Sequence, residues 1–258
     1  MLGSDLGTVD QNAARVTTIF MKTTLHRAAS RGTNKISWLD SKHSFSFGAY
    51  YNTERMHFGA LRVLNEDVIA PGQGFELHPH ENAEIVTLVL EGKVKHQDTM
   101  GHHGVIDDQT MQIISAGYGI WHSEHNASET EPLHLLQMWL LPRTDGLRPS
   151  YDQKSFSVTN RQGRWQWLVT SDGREESLVI QQSAYIARTE LKPEASISYH
   201  LQEKGQGLYV FVIGGVVTLA GNQLEAGDAL LVEEAALLEV VAISVADVLL
   251  FEVPMVVV

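Results

Sequence analysis

The chain has 258 residues, 43% hydrophobic and 19% charged, enough to build one large or two small packed domains and too apolar for wholesale disorder. Its net charge of −12, with Lys and Arg scattered along the chain, argues against a nucleic-acid face, and no apolar run reaches the roughly 18–20 residues of a membrane-spanning helix. It has no cysteine, which excludes disulfides, thiolate metal sites and cysteine nucleophiles.

Residues 1–20 lack a charged stretch followed by a solid apolar one, so they do not read as a secretion signal. We read them as an extension or vector-derived segment ahead of a second start-like residue, Met21. A cytoplasmic location is expected. From there on, short runs rich in Val, Ile, Leu and Thr dominate, at 61–68, 84–90, 93–99, 111–115, 133–141, 178–191, 207–213 and 216–219, separated by Gly, Asp, Asn and Pro. Many short strands with turns between them predict an all-β sandwich or barrel. The polar, turn-rich stretch 141–153 is the best linker. The run Val89–Val94 resembles Val212–Val217, each being an apolar strand, a glycine turn and a second strand. Its recurrence suggests a duplicated barrel. The expected division is 21–142, a linker at 143–153, and 154–258.

The histidines break that symmetry, since His200 alone of the 12 lies beyond His134. His78 and His80 are two apart, so on a strand their imidazoles share a face. Pro79 between them removes a ladder donor and predicts an edge or rim. His122 and Glu124 form a second same-face pair, and the glycines at 117 and 119 suit a close approach. Three imidazoles and one carboxylate would suit a borderline transition ion. One such pair is a weak signal; two pairs in an all-β chain without cysteine are a strong one. Glu84 shares the parity of His78 and His80, and could be a ligand, a partner of a ligand or a pocket base. His125 has the opposite parity to His122 and is expected to point away. His102 and His103 read as turn residues. His96 with Asp98, like His43 and His134, reads as structural.

These two stretches resemble the paired motifs of cupins, G-x5-H-x-H-x3-E from Gly72 to Glu84 and G-x2-H-x3-N from Gly119 to Asn126. Further runs at 38–41 (WLDS), 43–47 (HSFSF), 61–67 (LRVLNED), 90–92, 96–98 and 115–117 resemble the pirin family, in particular its bacterial quercetinase-like members. The resemblance is close over 24–142 and looser beyond. It implies a bicupin, two β-barrels of double-stranded β-helix (jelly-roll) type packed together. One metal would sit in the first barrel on His78, His80, His122 and Glu124. The ion expected is Fe2+, with Cu, Ni, Mn, Co or Zn as alternatives. Aligning Gly215 with Gly92 puts Leu201, Glu203 and Val245 where the three histidines stand, so the second barrel should hold no metal.

The activity implied is a metal-dependent dioxygenase that opens a flavonol such as quercetin with O2. Glu124 or Glu84 would serve as general base. Phe75, Met111 and Trp121, near the motifs, read equally as walls of a pocket for a flat substrate or as core packing. The second reading is a non-enzymatic, metal-loaded and redox-sensitive module that binds a transcriptional regulator. The third is an enzyme with a different natural substrate, since cupins support many chemistries.

Overall fold

The computed structural model describes residues 21–256; the segment 1–20 lies outside them. The described residues are all-β apart from three short 3-10 turns, and their strands form two seven-stranded and two four-stranded sheets. Each half pairs one seven-stranded with one four-stranded sheet, giving the expected two barrels. The ladders are antiparallel except where Gln166–Thr170 runs parallel to Leu178–Val179.

Three strands explain how one sheet serves two cores. Glu84–Glu91, Thr110–Ser115 and Leu133–Leu140 lie side by side in the first seven-stranded sheet. Both faces of each are covered, so they read as nearly continuous apolar runs. Val86, Leu88, Met111, Ile113, Leu136, Met138 and Leu140 face outward and pack with Tyr209, Phe211, Leu249 and Phe251 of the second half. That shared cluster, between the two seven-stranded sheets, joins the halves. Each fully buried Leu or Phe there contributes about 1.5–3 kcal/mol.

The inward faces differ between halves. The second barrel is filled by Tyr199, Leu208, Val210, Val217, Leu238, Val240 and their neighbours. The first has an apolar layer at each end, Ile69, Val89, Val94, Ile106 and Leu135 at one and Ile85, Ile114 and Ile120 at the other. Between these layers the inward residues are polar.

Several expectations change. Residues 178–191 are not one strand but Leu178–Val179 and Tyr185–Leu191, with a loop between. Gly92 and Gly215, at φ 88° and 80°, mark corners rather than hairpin turns. At each, the chain leaves a seven-stranded sheet for the four-stranded sheet of the same half. The proposed linker ends in a strand, Ser150–Ser155, which pairs with Thr110–Ser115 of the first half. Conversely, Lys22–His26 pairs with Ala229–Glu233 of the second half. Each half thus lends the other an edge strand. Linker composition is a local signal, whereas an edge strand's partner is set by distant chain.

Candidate metal centre

The strand Gly74–His80 is the edge of the first four-stranded sheet, as Pro79 predicts. Its neighbour Ile120–Asn126 lies between it and Lys93–Asp98. In this register His122 stands opposite His78 on one side and Asp98 on the other, and Glu124 stands opposite His96. All these side chains point into the barrel.

Two groups of ligating atoms result, each lying within 4.8 Å of one another: His78, His80 and His122, and His96, His122 and Glu124. The four expected ligands therefore fall into two overlapping groups that share His122. His96, expected to be structural, belongs to the second. It is fully buried, bonds to Asp98 at 3.3 Å and stacks on Tyr151. Its signal was present as the same-face pair His96 and Asp98, but it lies outside both motif stretches.

The imidazoles are prepared to bind a cation. His78 Nδ1 lies 2.7 Å from the Glu76 carbonyl oxygen, which accepts a bond from Nδ1–H and leaves Nε2 a free lone pair. Burial, and then the neighbouring histidines, push His80 and His122 down to about 3, so both are neutral at physiological pH. His80 Nε2 and both nitrogens of His122 are buried without a hydrogen-bond partner. Each unmet group costs about 1–3 kcal/mol, a penalty that coordination would remove. The residues therefore fit a metal ion.

Glu124 is held from across the barrel. Gln137, Thr87 and Gln112 are register partners on three adjacent strands, so they form one inward row. Gln112 Nε2 and Thr87 Oγ1 donate to Glu124 Oε1 at 2.8 and 3.2 Å, and Gln137 Nε2 donates to Oε2 at 2.6 Å. The Gln137 amide is itself oriented, since Trp139 Nε1 donates to its Oε1, and the Tyr151 hydroxyl, 2.7 Å from Gln153 Oε1, also lies 3.3 Å from Gln112 Oε1. Sequence reasoning missed this row, because one polar residue in each of three apolar runs carries no local message.

The site opens into a cavity of about 270 Å³, lined by Phe47, Phe75 and Trp139 among the aromatics and by His43, His78, His80, Asn65, Asp67 and Glu124 among the polar residues. Burial pushes Asp67 up to about 6, with a bond from Ser41 opposing and the charge of Glu124 adding. Phe75 lines this cavity as expected. Met111 does not, being buried between the halves. Trp121 faces outward and is 48% exposed.

Glu84 stands apart from the site. It shares a face with Val86 and Leu88, toward the second half, and accepts bonds from Ser115 Oγ at 2.7 Å and the Gln181 backbone N–H at 3.1 Å. The turn at residues 81–83, where Asn82 has φ 47°, separates it from the strand of His78 and His80, so parity does not carry across. His102 is more than a turn residue, bonding to Asp98 at 3.0 Å and stacking on Tyr151. His125 points outward toward Glu76, and His134 bonds to Glu66. His43 lines the cavity.

In the second barrel the corresponding strand pair, Ser196–His200 with Leu237–Ala242, brings Tyr199 opposite Leu238 and His200 opposite Leu237, while Leu201 and Val245 lie outside these strands. The loops there differ in length, which shifts the alignment. Among the described residues no cluster of three or more potential ligands occurs in that half.

Comparison with known proteins agrees with this geometry. Residues 24–140 match the family model described as Pirin, and 167–253 match the quercetinase C-terminal cupin domain. The chain is 42% identical over 231 residues to a quercetin 2,3-dioxygenase of Escherichia coli (strain K12), covering 89% of this chain and 98% of the relative. The chain belongs to the pirin family. Among other pirin-like relatives, a putative quercetin 2,3-dioxygenase of Pseudomonas aeruginosa is 40% identical over 217 residues, 84% of this chain and 93% of that one. The crystal structure of the E. coli bacterial pirin YhhW in complex with nickel(II) superposes with a TM-score of 0.86 at 40% identity, covering 91% of this chain and all of that one, 100%. No helix of the described residues is long and apolar enough to cross a membrane.

Proposed function

We propose that this pirin is a dioxygenase that opens flavonols such as quercetin with O2, using one divalent first-row metal ion on His78, His80, His122 and Glu124. The observation that carries this reading is the cluster of three imidazoles, with His80 Nε2 and both nitrogens of His122 buried and unpartnered, beside an aromatic-lined cavity that His78 and His80 help to wall. The names of the relatives support the substrate class. The nickel(II) in the E. coli structure supports a divalent ion of this row; Fe2+ is our first candidate and nickel its competitor, since three imidazoles and a carboxylate accept either.

A metal bound there would act as a Lewis acid on the substrate's 3-hydroxyl and 4-carbonyl oxygens. The chain's own residues do the rest. Glu76 fixes the ring of His78, and the row of Gln137, Thr87 and Gln112 fixes the carboxylate of Glu124. That carboxylate accepts the proton of the 3-hydroxyl as general base. Phe47, Phe75 and Trp139 pack on the flat rings and exclude water. Glu84 has no part in this chemistry.

The test is flavonol loss under air, followed by absorbance on protein of measured metal content. Turnover that scales with bound metal and disappears on chelation is expected. Metal retained at about one ion per chain with no flavonol consumed would overturn the assignment and favour the metal-loaded interaction module.

A further inference from the structure

The row that holds Glu124 does not stop at Gln137. In register it continues through Asn65 to His43, on strands Leu61–Ile69 and Leu39–His43. These two residues come from the pirin-like runs LRVLNED and HSFSF, to which the proposed chemistry gives no task. Both line the metal cavity and both are only 3% exposed.

Their hydrogen-bond states follow from their neighbours. As a carboxylate, Asp67 can only accept. Ser41 Oγ therefore donates to Asp67 Oδ1. The same Ser41 oxygen lies 2.8 Å from His43 Nε2, and with its proton committed it must accept there. His43 is thus the tautomer that carries its proton on Nε2, which leaves Nδ1 as an acceptor. His43 Nδ1 and Asn65 Oδ1 are both buried without a partner. Two unmet acceptors in the wall of a binding cavity ask for donors from a ligand.

We infer that Asn65 and His43, with Ser41 and Asp67 fixing the tautomer of His43, form a second subsite that accepts hydrogen bonds from a substrate hydroxyl remote from the metal-chelating pair. The preferred ligands are then polyhydroxylated flavonols, and the bare chelating skeleton is a poor one. A site built to hydrogen-bond a hydroxyl rejects the analogue that lacks it more strongly than an apolar wall does. The inference deepens the flavonol reading and rests on it.

The test compares quercetin with 3-hydroxyflavone, which keeps the 3-hydroxyl and 4-carbonyl and lacks every other hydroxyl. Affinity for the metal-free protein is read by quenching of tryptophan fluorescence, and KM and kcat on the metal-loaded enzyme. The wild type is expected to favour quercetin in both affinity and KM. Asn65→Leu and His43→Phe should each cut that preference about tenfold, mainly in KM. Ser41→Ala, a smaller change that frees the tautomer, should cut it in the same direction. Each variant's folding is checked by its thermal transition and its metal content. Equal losses for both ligands, or an unchanged preference, would overturn the subsite while leaving flavonol turnover standing. A wild type that neither binds nor consumes any flavonol would overturn the parent reading and the subsite with it.

Discussion

Gln137 donates a 2.6 Å hydrogen bond to Glu124 from the opposite wall of the barrel. With Gln112 and Thr87 on the other oxygen, the carboxylate is fixed before any ion arrives. Groups that orient a ligand in this way typically change metal affinity 10–100-fold when removed. Gln137→Leu should weaken metal binding by about that factor, measured by isothermal titration, while the folded chain retains its β-sheet spectrum. Unchanged affinity would mean that the row serves only packing.

His78→Ala should abolish stoichiometric metal binding, and His200→Ala should leave it unchanged. His200 is an exposed residue at the end of the strand Ser196–His200, in a barrel whose interior is apolar. Elemental analysis of both purified variants decides the matter, and equal metal content in the two would refute the assignment.

Glu124→Gln and Glu84→Gln should fail in different ways. The first removes the proposed ligand and base, so metal content and turnover should fall together. The second disturbs two hydrogen bonds at the junction of the halves, so its main effect is a loss of about 1–3 kcal/mol in unfolding free energy. Urea unfolding and metal analysis on the same samples separate these outcomes.

Gly74→Ala should loosen the centre without touching a ligand. A Cβ on Gly74 would lie 2.2 Å from the Glu124 carbonyl oxygen and 2.4 Å from His125 Cα. Both are backbone atoms of the strand that carries His122 and Glu124, so that strand must shift. Metal affinity should fall, with a lowered thermal midpoint.

The exchanged strand Lys22–His26 supplies a test by pH. Burial, with the charge of Arg55 adding, pushes His26 down to about 4 from an ordinary 6.5. The unfolded chain then takes up a proton between pH 6.5 and 4 that the folded one refuses, so this group leaves stability unaffected above pH 6.5 and erodes it as pH falls toward 4. His26→Phe should lose less stability than the wild type between pH 7 and 5, read from urea midpoints. An identical pH dependence in both proteins would remove His26 as a cause.

The sequence by itself determined the all-β class, the duplication, and which half carries the chemistry. His78 with His80, and His122 with Glu124, are legible because a strand repeats every two residues and each pair needs only its own strand to share a face. The edge at Pro79 is local in the same sense. What lies opposite those pairs was decided by tertiary structure. Gln137, Thr87 and Gln112 align only when three strands are in register, and they meet Glu124 only when a second sheet closes over them. His96 joins His122 for the same reason. Glu84 keeps its parity on paper but loses it at the turn through Asn82, and the exchange of Lys22–His26 and Ser150–Ser155 depends on partners more than 30 residues away along the chain. Periodicity is written in neighbouring residues, whereas register between sheets is fixed by the packing of the whole molecule.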